Sequence, residues 1–239
     1  APGSPVTVAD PPLTATRDFA ARLRSRGVAL KGDVARAVAP AGATEVAAVS
    51  SPTIASLVEH TLTESDDDMA EALAHLAGGR LGGAASFEGG AAATGKVLAS
   101  LGVPTQGLSI TDGSGLARSD RVSPVTVART LVAVATARVP AGASPPGPAL
   151  WPAATGLPVA AFTGTLAERF LAPSAAPGRG VVRAKTGTLT GVQALAGLVR
   201  DRGGRLLAFS FIATDVPVKE GAQGALDRGA TALALCGCR

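Results

Sequence analysis

The feature that most constrains the fold is a run of three short apolar segments near the end of the chain. Val181 to Thr186, Val192 to Arg200 and Leu206 to Thr214 each read as a strand. Asp201-Arg202-Gly203-Gly204 joins the last two as a hairpin turn. Glu220 to Leu235 follows as a helical stretch able to cover one face of such a sheet. The first strand carries Lys185-Thr186, with Gly187, Thr188 and Leu189 directly after it. Glycine has no Cβ, so a ligand can lie close against that strand. A lysine and a threonine hydroxyl beside it can hold a carboxylate.

A second cluster lies upstream, at Glu64-Ser65-Asp66-Asp67-Asp68-Met69-Ala70-Glu71. Ser65 stands where a helical pattern begins, with Met69, Leu73 and Leu76 on its apolar face. Taken locally, a serine followed by three acids is an ordinary helix N-cap with favourable charge at the positive end of the dipole. Beside a Lys-Thr-Gly strand, the same residues read as a Ser-x-Asn motif in which Asp67 takes the place of asparagine. An asparagine amide donates and accepts, whereas an ionised aspartate only accepts.

With these two clusters go Asp112-Gly113-Ser114-Gly115-Leu116, Arg121-Val122-Ser123-Pro124, Gly164-Thr165-Leu166 with Arg169-Phe170, and Leu195-Ala196-Gly197. In this order the markers resemble the D-alanyl-D-alanine carboxypeptidase/endopeptidase family of low-molecular-mass penicillin-binding proteins. The resemblance covers the C-terminal part of such a protein, from about Ser51 onward, and runs more loosely back to Ala1. It implies a penicillin-binding/β-lactamase-like α/β fold, an antiparallel sheet flanked by helices. Residues 1–49 would be the end of an inserted domain and a linker. Residues 50–239 would be the C-terminal part of a transpeptidase-like catalytic domain.

The resemblance also implies a serine-type peptidase acting on peptidoglycan stem peptides and acylated by β-lactams. Ser65, Asp67 and Lys185 would be catalytic, and Thr186, Gly187 and Thr188 would bind substrate. Ser65 would pass protons to the leaving amine, Asp67 would face the substrate amide, and the Thr188 amide would serve as an oxyanion donor. The family's nucleophile motif, Ser-x-x-Lys, is missing from the chain. The four lysines are Lys31, Lys96, Lys185 and Lys219, and three residues before them stand Val28, Ala93, Val182 and Val216. An upstream segment of the same protein would therefore supply the nucleophile and its lysine. The competing readings are a catalytically inactive envelope protein that binds peptidoglycan or a protein partner, and a β-lactamase or esterase on the same fold. The peptidase and the inactive envelope protein both place the chain outside the cytoplasm, in the cell envelope, and neither calls for a cofactor.

Composition removes other classes. The net charge of +4 is spread over dispersed arginines, with one Trp, six Phe and no Tyr. A nucleic-acid interface wants a clustered basic face with stacking aromatics, so none is expected. His60 and His75 lie fifteen residues apart without ligand spacing, so no metal is expected. Cys236 and Cys238 could pair with each other, pair elsewhere or stay reduced. No apolar run is long enough to cross a bilayer as a helix.

The remaining elements follow from pattern and punctuation. Ala1 to Pro12 reads as extended, Thr14 to Arg26 as a helix and Val28 to Val38 as a strand, followed by a link over Ala39 to Val49. Helices are expected from Ser51-Pro52, after Ser65, over Glu88 to Leu101, and from Ser123-Pro124 through Ala137. Val139 to Pro148 reads as a Pro/Gly loop.

Overall fold

In a computed structural model, residues 8–38, 40–81, 83–136, 150–217 and 219–237 are described. The expected loop at Val139–Pro148 lies outside them. The chain divides into two compact units, residues 1–50 and 51–239.

Among its described residues the first unit holds one helix, α1 (Pro11–Ser25). It begins earlier than the sequence pattern indicates. Asp10 caps it by accepting from the Leu13 amide at 3.1 Å, and the prolines fill a first turn whose N–H groups need no helical partner. The strand expected over Val28 to Val38 does not form. A strand needs a neighbour to satisfy its ladder, and none pairs with this stretch among the described residues. Val38 is 94% exposed.

The second unit has helices α2 (Ile54–Glu64), α3 (Asp67–Arg80), α4 (Phe87–Ser100), α5 (Pro124–Thr136), α6 (Trp151–Thr155) and α7 (Lys219–Leu235). Between α6 and α7 runs an antiparallel sheet of β1 (Val182–Leu189), β2 (Val192–Arg200) and β3 (Leu206–Ala213), in that order. Helix α2 is capped by Thr53, which accepts from the Ser56 amide. Ser51 and Pro52, the expected start, lie just before it. The 3-10 turns at Gly164–Leu166 and Ala176–Gly178, and the short α6, escape the sequence pattern because none is long enough to show a period.

Side chains alternate across the sheet. Val182, Ala184, Leu195, Val199 and Phe209 point to one face and form a core with Leu166, Phe170 and the α7 residues Ala230 and Ala234. Leu198 points to the other face and packs with Leu131 and Val134 of α5, Ala154 of α6 and Leu157. The β1–β2 hairpin closes tightly, with Leu189 opposite Val192 and Gly191 at φ +78° in the turn.

Gly197 fixes how closely β1 and β2 approach. A Cβ there would lie 2.0 Å from the Arg183 carbonyl oxygen and 2.6 Å from Ala184 Cα. Gly197→Ala should therefore destabilise the protein by about 1–3 kcal/mol, the usual range for overpacking a core. Urea unfolding of the variant beside the parent measures it, and equal midpoints would contradict the packing described.

Candidate active site

The sheet and the helical layer meet at a cleft of about 1220 Å³ lined by Ser65, Asp67, Arg118, Thr165, Lys185, Thr186, Gly187 and Thr188, among others. Each wall is built by a local feature of sequence.

Ser65 ends α2 rather than beginning α3. It takes the left-handed conformation at φ 58°, ψ 51°, uncommon for a residue with a Cβ. Asp66 is the N-cap of α3, its Oδ1 accepting from the Met69 amide at 2.9 Å. Asp67 and Asp68 then lie in the first turn, where negative charge suits the helix dipole. The N-cap reading of Ser65 is thus corrected by one residue: with Asp66 capping α3, the Ser65 hydroxyl is released to the cleft.

Lys185 meets that hydroxyl. Its Nζ donates to Ser65 Oγ at 2.7 Å and to the Thr186 carbonyl at 2.8 Å. Burial pushes the Lys185 ammonium below its ordinary pKa, and the Asp67 carboxylate opposes that shift. A lysine depressed in this way is easier to deprotonate and so better fitted to exchange protons with a hydroxyl.

The threonines of β1 are held from two sides. Thr186 Oγ1 donates to Thr165 Oγ1 at 3.0 Å, joining β1 to the turn at Gly164–Leu166. Thr188 Oγ1 donates at 3.2 Å to Oε1 of Gln193, a residue only 4% exposed, and Gln223 Nε2 reaches the same oxygen at 3.3 Å. A Cβ on Gly187 would lie 3.2 Å from Ala194 Cβ, so the neighbouring strand itself crowds any side chain there.

The loop from Asp112 to Arg121 forms the opposite wall. Asp112 accepts from the Gly115 amide at 2.7 Å, the Ala117 amide at 2.8 Å and the Ser114 hydroxyl at 3.1 Å. Burial works against its charge, but these donors outweigh it and hold the carboxyl below its usual range. Glu71, on α3, accepts from the Gly113 amide at 2.9 Å and the Ser114 amide at 3.3 Å, tying the loop to the helix that carries Asp67. Arg118 reaches across to the Thr190 carbonyl in the β1–β2 turn at 2.9 Å.

All six site residues expected from the sequence line this one cleft. The supports provided by Thr165, Gln193, Glu71 and Arg118 are not evident from sequence. Glu71 lies within the Ser65 cluster and Thr165 within Gly164-Thr165-Leu166, but neither position indicates its partner, and no pattern singles out Gln193 or Arg118.

The family model described as D-Ala-D-Ala carboxypeptidase 3 (S13) matches residues 3–233, nearly the whole chain. The chain belongs to that family. It is 38% identical over 200 residues to carboxypeptidase DacB of Mycolicibacterium smegmatis, covering 82% of this chain and 41% of that protein. It is 36% identical over 214 residues to a D-alanyl-D-alanine carboxypeptidase of an Actinomadura species, covering 86% of this chain and 37% of the relative. The family chain in hand thus spans less than half the length of these relatives. Its fold is that of penicillin-binding protein 4 from Haemophilus influenzae, solved as a complex with a β-lactam (TM-score 0.77, 24% identity, 94% of this chain and 51% of that one). A second structure of that protein superposes with a TM-score of 0.60 at 27% identity, over 73% of this chain and 38% of that one.

Proposed function

We propose that the intact protein is a serine-type D-Ala-D-Ala carboxypeptidase/endopeptidase of the cell envelope. It would act on peptidoglycan stem peptides and be acylated by β-lactams. The observation that carries this reading is the Lys185–Ser65 hydrogen bond, which joins two motifs 120 residues apart in a cleft of substrate size. Family membership supports the same reaction.

In this reading a serine from an upstream segment attacks the carbonyl of the penultimate D-Ala. The terminal D-Ala leaves with a proton, and water then releases the acyl group. Ser65 relays the proton to the leaving amine, and Lys185 sets the acidity of that hydroxyl. Thr186 and Thr188 take the substrate carboxylate, Gly187 lets the peptide lie against β1, and the Thr188 amide is an oxyanion donor. Asp67 faces the substrate amide and supports the charge on Lys185. Residues 1–49 are assigned to the end of an inserted domain.

Two observations support an upstream contribution. No Ser-x-x-Lys occurs in the chain. An apolar groove of about 500 Å³, lined by Leu62, Leu98, Leu108, Ile110 and Leu131, opens beside Lys185. A partly apolar helix laid in that groove would place a nucleophile next to Lys185 and Ser65.

Asp67 offers the sharpest local test. Its carboxylate raises the Lys185 pKa against burial. Asp67→Asn removes that support, so Lys185 should lose its proton at lower pH. The alkaline limb of the acylation rate against pH should therefore move toward neutrality in the variant. An unmoved limb would separate Asp67 from Lys185. The reaction itself is tested by release of D-alanine from a D-Ala-D-Ala-terminated peptide by the intact protein. Release of none, with peptidoglycan binding retained, would favour the non-catalytic reading, which the aspartate at position 67 also suits.

A further inference from the structure

A further cavity, of about 470 Å³, lies on the sheet face that packs against α5 and α6. It shares no lining residue with the cleft around Lys185. Its size falls within the range of about 300–1,000 Å³ usual for small-molecule sites. Arg183 of β1 and Arg200 of β2 both line it, with Trp151 of α6.

The two arginines are diagonal neighbours on one face of the sheet. Arg183 is opposite Leu198, and Arg200 stands two residues further along β2. Both side chains are exposed, and a negative group set between them would be attracted by both. No protein carboxylate forms an ion pair with either among the described residues. Arg183 makes no side-chain hydrogen bond or ion pair, and Arg200 makes one hydrogen bond, from Nη1 to the Gly204 carbonyl at 2.5 Å. Of the acids on nearby elements, Asp201 is paired with Arg205, whereas Glu59 accepts from the hydroxyl of Thr155, which also lines the cavity, and forms an ion pair with neither arginine.

The third component is apolar and flat. Trp151 is 66% exposed, an unusual expenditure of the chain's one tryptophan. Leu206 and Val181, 51% and 40% exposed, extend the apolar surface. Guanidinium forks match carboxylate or phosphate oxygens two at a time. An indole face suits the carbon-bound hydrogens of a sugar ring, and its N–H can meet a ring hydroxyl. A simple inorganic anion would use the arginines and leave the indole idle, whereas a neutral sugar would leave the arginines unpaired.

We propose that this cavity binds an anionic saccharide, with the ring on Trp151 and the phosphate or carboxylate between Arg183 and Arg200. The site is separate from the catalytic cleft and does not depend on the reaction assigned there.

Trp151 provides the readout. In the full-length protein, the difference in fluorescence between the parent and its Trp151→Phe variant isolates the emission of this residue. Titration with N-acetylglucosamine 6-phosphate tests the phosphate and N-acetylmuramic acid the carboxylate. Neutral N-acetylglucosamine is the control. A saturable change in Trp151 emission is expected with at least one of the anions, and the stronger of the two identifies the anionic group. Binding should weaken at least tenfold in Arg183→Gln/Arg200→Gln and by a similar factor with the neutral sugar. Should the double variant fold poorly by circular dichroism, Arg200→Gln alone removes an exposed side chain with one hydrogen bond, and the same weakening is expected. No saturable change with either anion, or equal responses from parent and variant, would overturn the proposal. Equal binding of the neutral sugar would overturn it as well.

Discussion

Replacing Lys185 by alanine in the intact protein should slow acylation by benzylpenicillin by about 100- to 1000-fold, the usual cost of removing one preorganised electrostatic group from an acyl-transfer site. The loss follows from what Lys185 touches. Its Nζ is the hydrogen-bond partner of Ser65 Oγ, and no neighbouring cation can take its place. Arg169 is committed to Asp227, Arg118 to the Thr190 carbonyl, and Arg121 to the carbonyls of Arg118 and Asp120. Lys185→Arg should not rescue the rate, because a planar guanidinium cannot stand in for a compact ammonium at a partly buried site. Stability should not fall alongside activity. Burial already disfavours the charged lysine, so its removal relieves a penalty. Stopped-flow acylation together with a thermal melt checks both statements. Unchanged acylation kinetics would remove Lys185 from the mechanism.

Asp227→Ala should cost about 3–5 kcal/mol of folding stability, the usual result of stripping one partner from a buried ion pair. Asp227 is 5% exposed, and its carboxylate accepts from Arg169 Nη2 at 2.6 Å and Arg169 Nε at 3.0 Å. It also accepts from the Phe170 amide at 3.3 Å. Phe170 sits at φ 61°, a strained conformation for a bulky residue, in the middle of the core beneath β1. Removing Asp227 would strand a guanidinium and release the contact that holds this turn to α7. For a unit of this size the melting temperature should fall by on the order of 10 °C. The double variant Arg169→Met/Asp227→Leu should recover much of the loss, since neither charge is then left unpaired. A single variant as stable as the parent would show that the pair contributes nothing.

The parts of this molecule legible in its sequence are those governed by short-range rules. The three strands show because apolar residues and turn residues alternate at strand spacing, and β1 continues to Leu189 only because β2 folds back to pair with it. That certain residues share the cleft was legible through motif order: Ser65, Asp67 and Lys185 each have a bland local explanation, and only their succession along the chain separates them from it. What sequence could not supply was tertiary. The Ser65 hydroxyl is free for Lys185 because Asp66 takes the cap of α3, a competition between adjacent side chains that pattern alone leaves undecided. The strand expected at Val28 to Val38 failed for the opposite reason, since a suitable pattern without a partner strand has nothing to bond to. Glu71, Arg118 and Gln193 join residues 30 to 72 positions apart or bury an amide behind a strand, and nothing in their immediate surroundings announces it.

In the reading proposed, the active site is divided, with Ser65, Lys185 and the Thr186–Thr188 strand edge in this chain and the nucleophile upstream of it. Intact mass spectrometry can test this division, by weighing this 239-residue polypeptide and the full-length protein before and after incubation with benzylpenicillin. The expected result is a penicilloyl adduct on the full-length protein and none on the shorter chain. An adduct on the shorter chain alone would place the nucleophilic serine within these residues and contradict the division proposed.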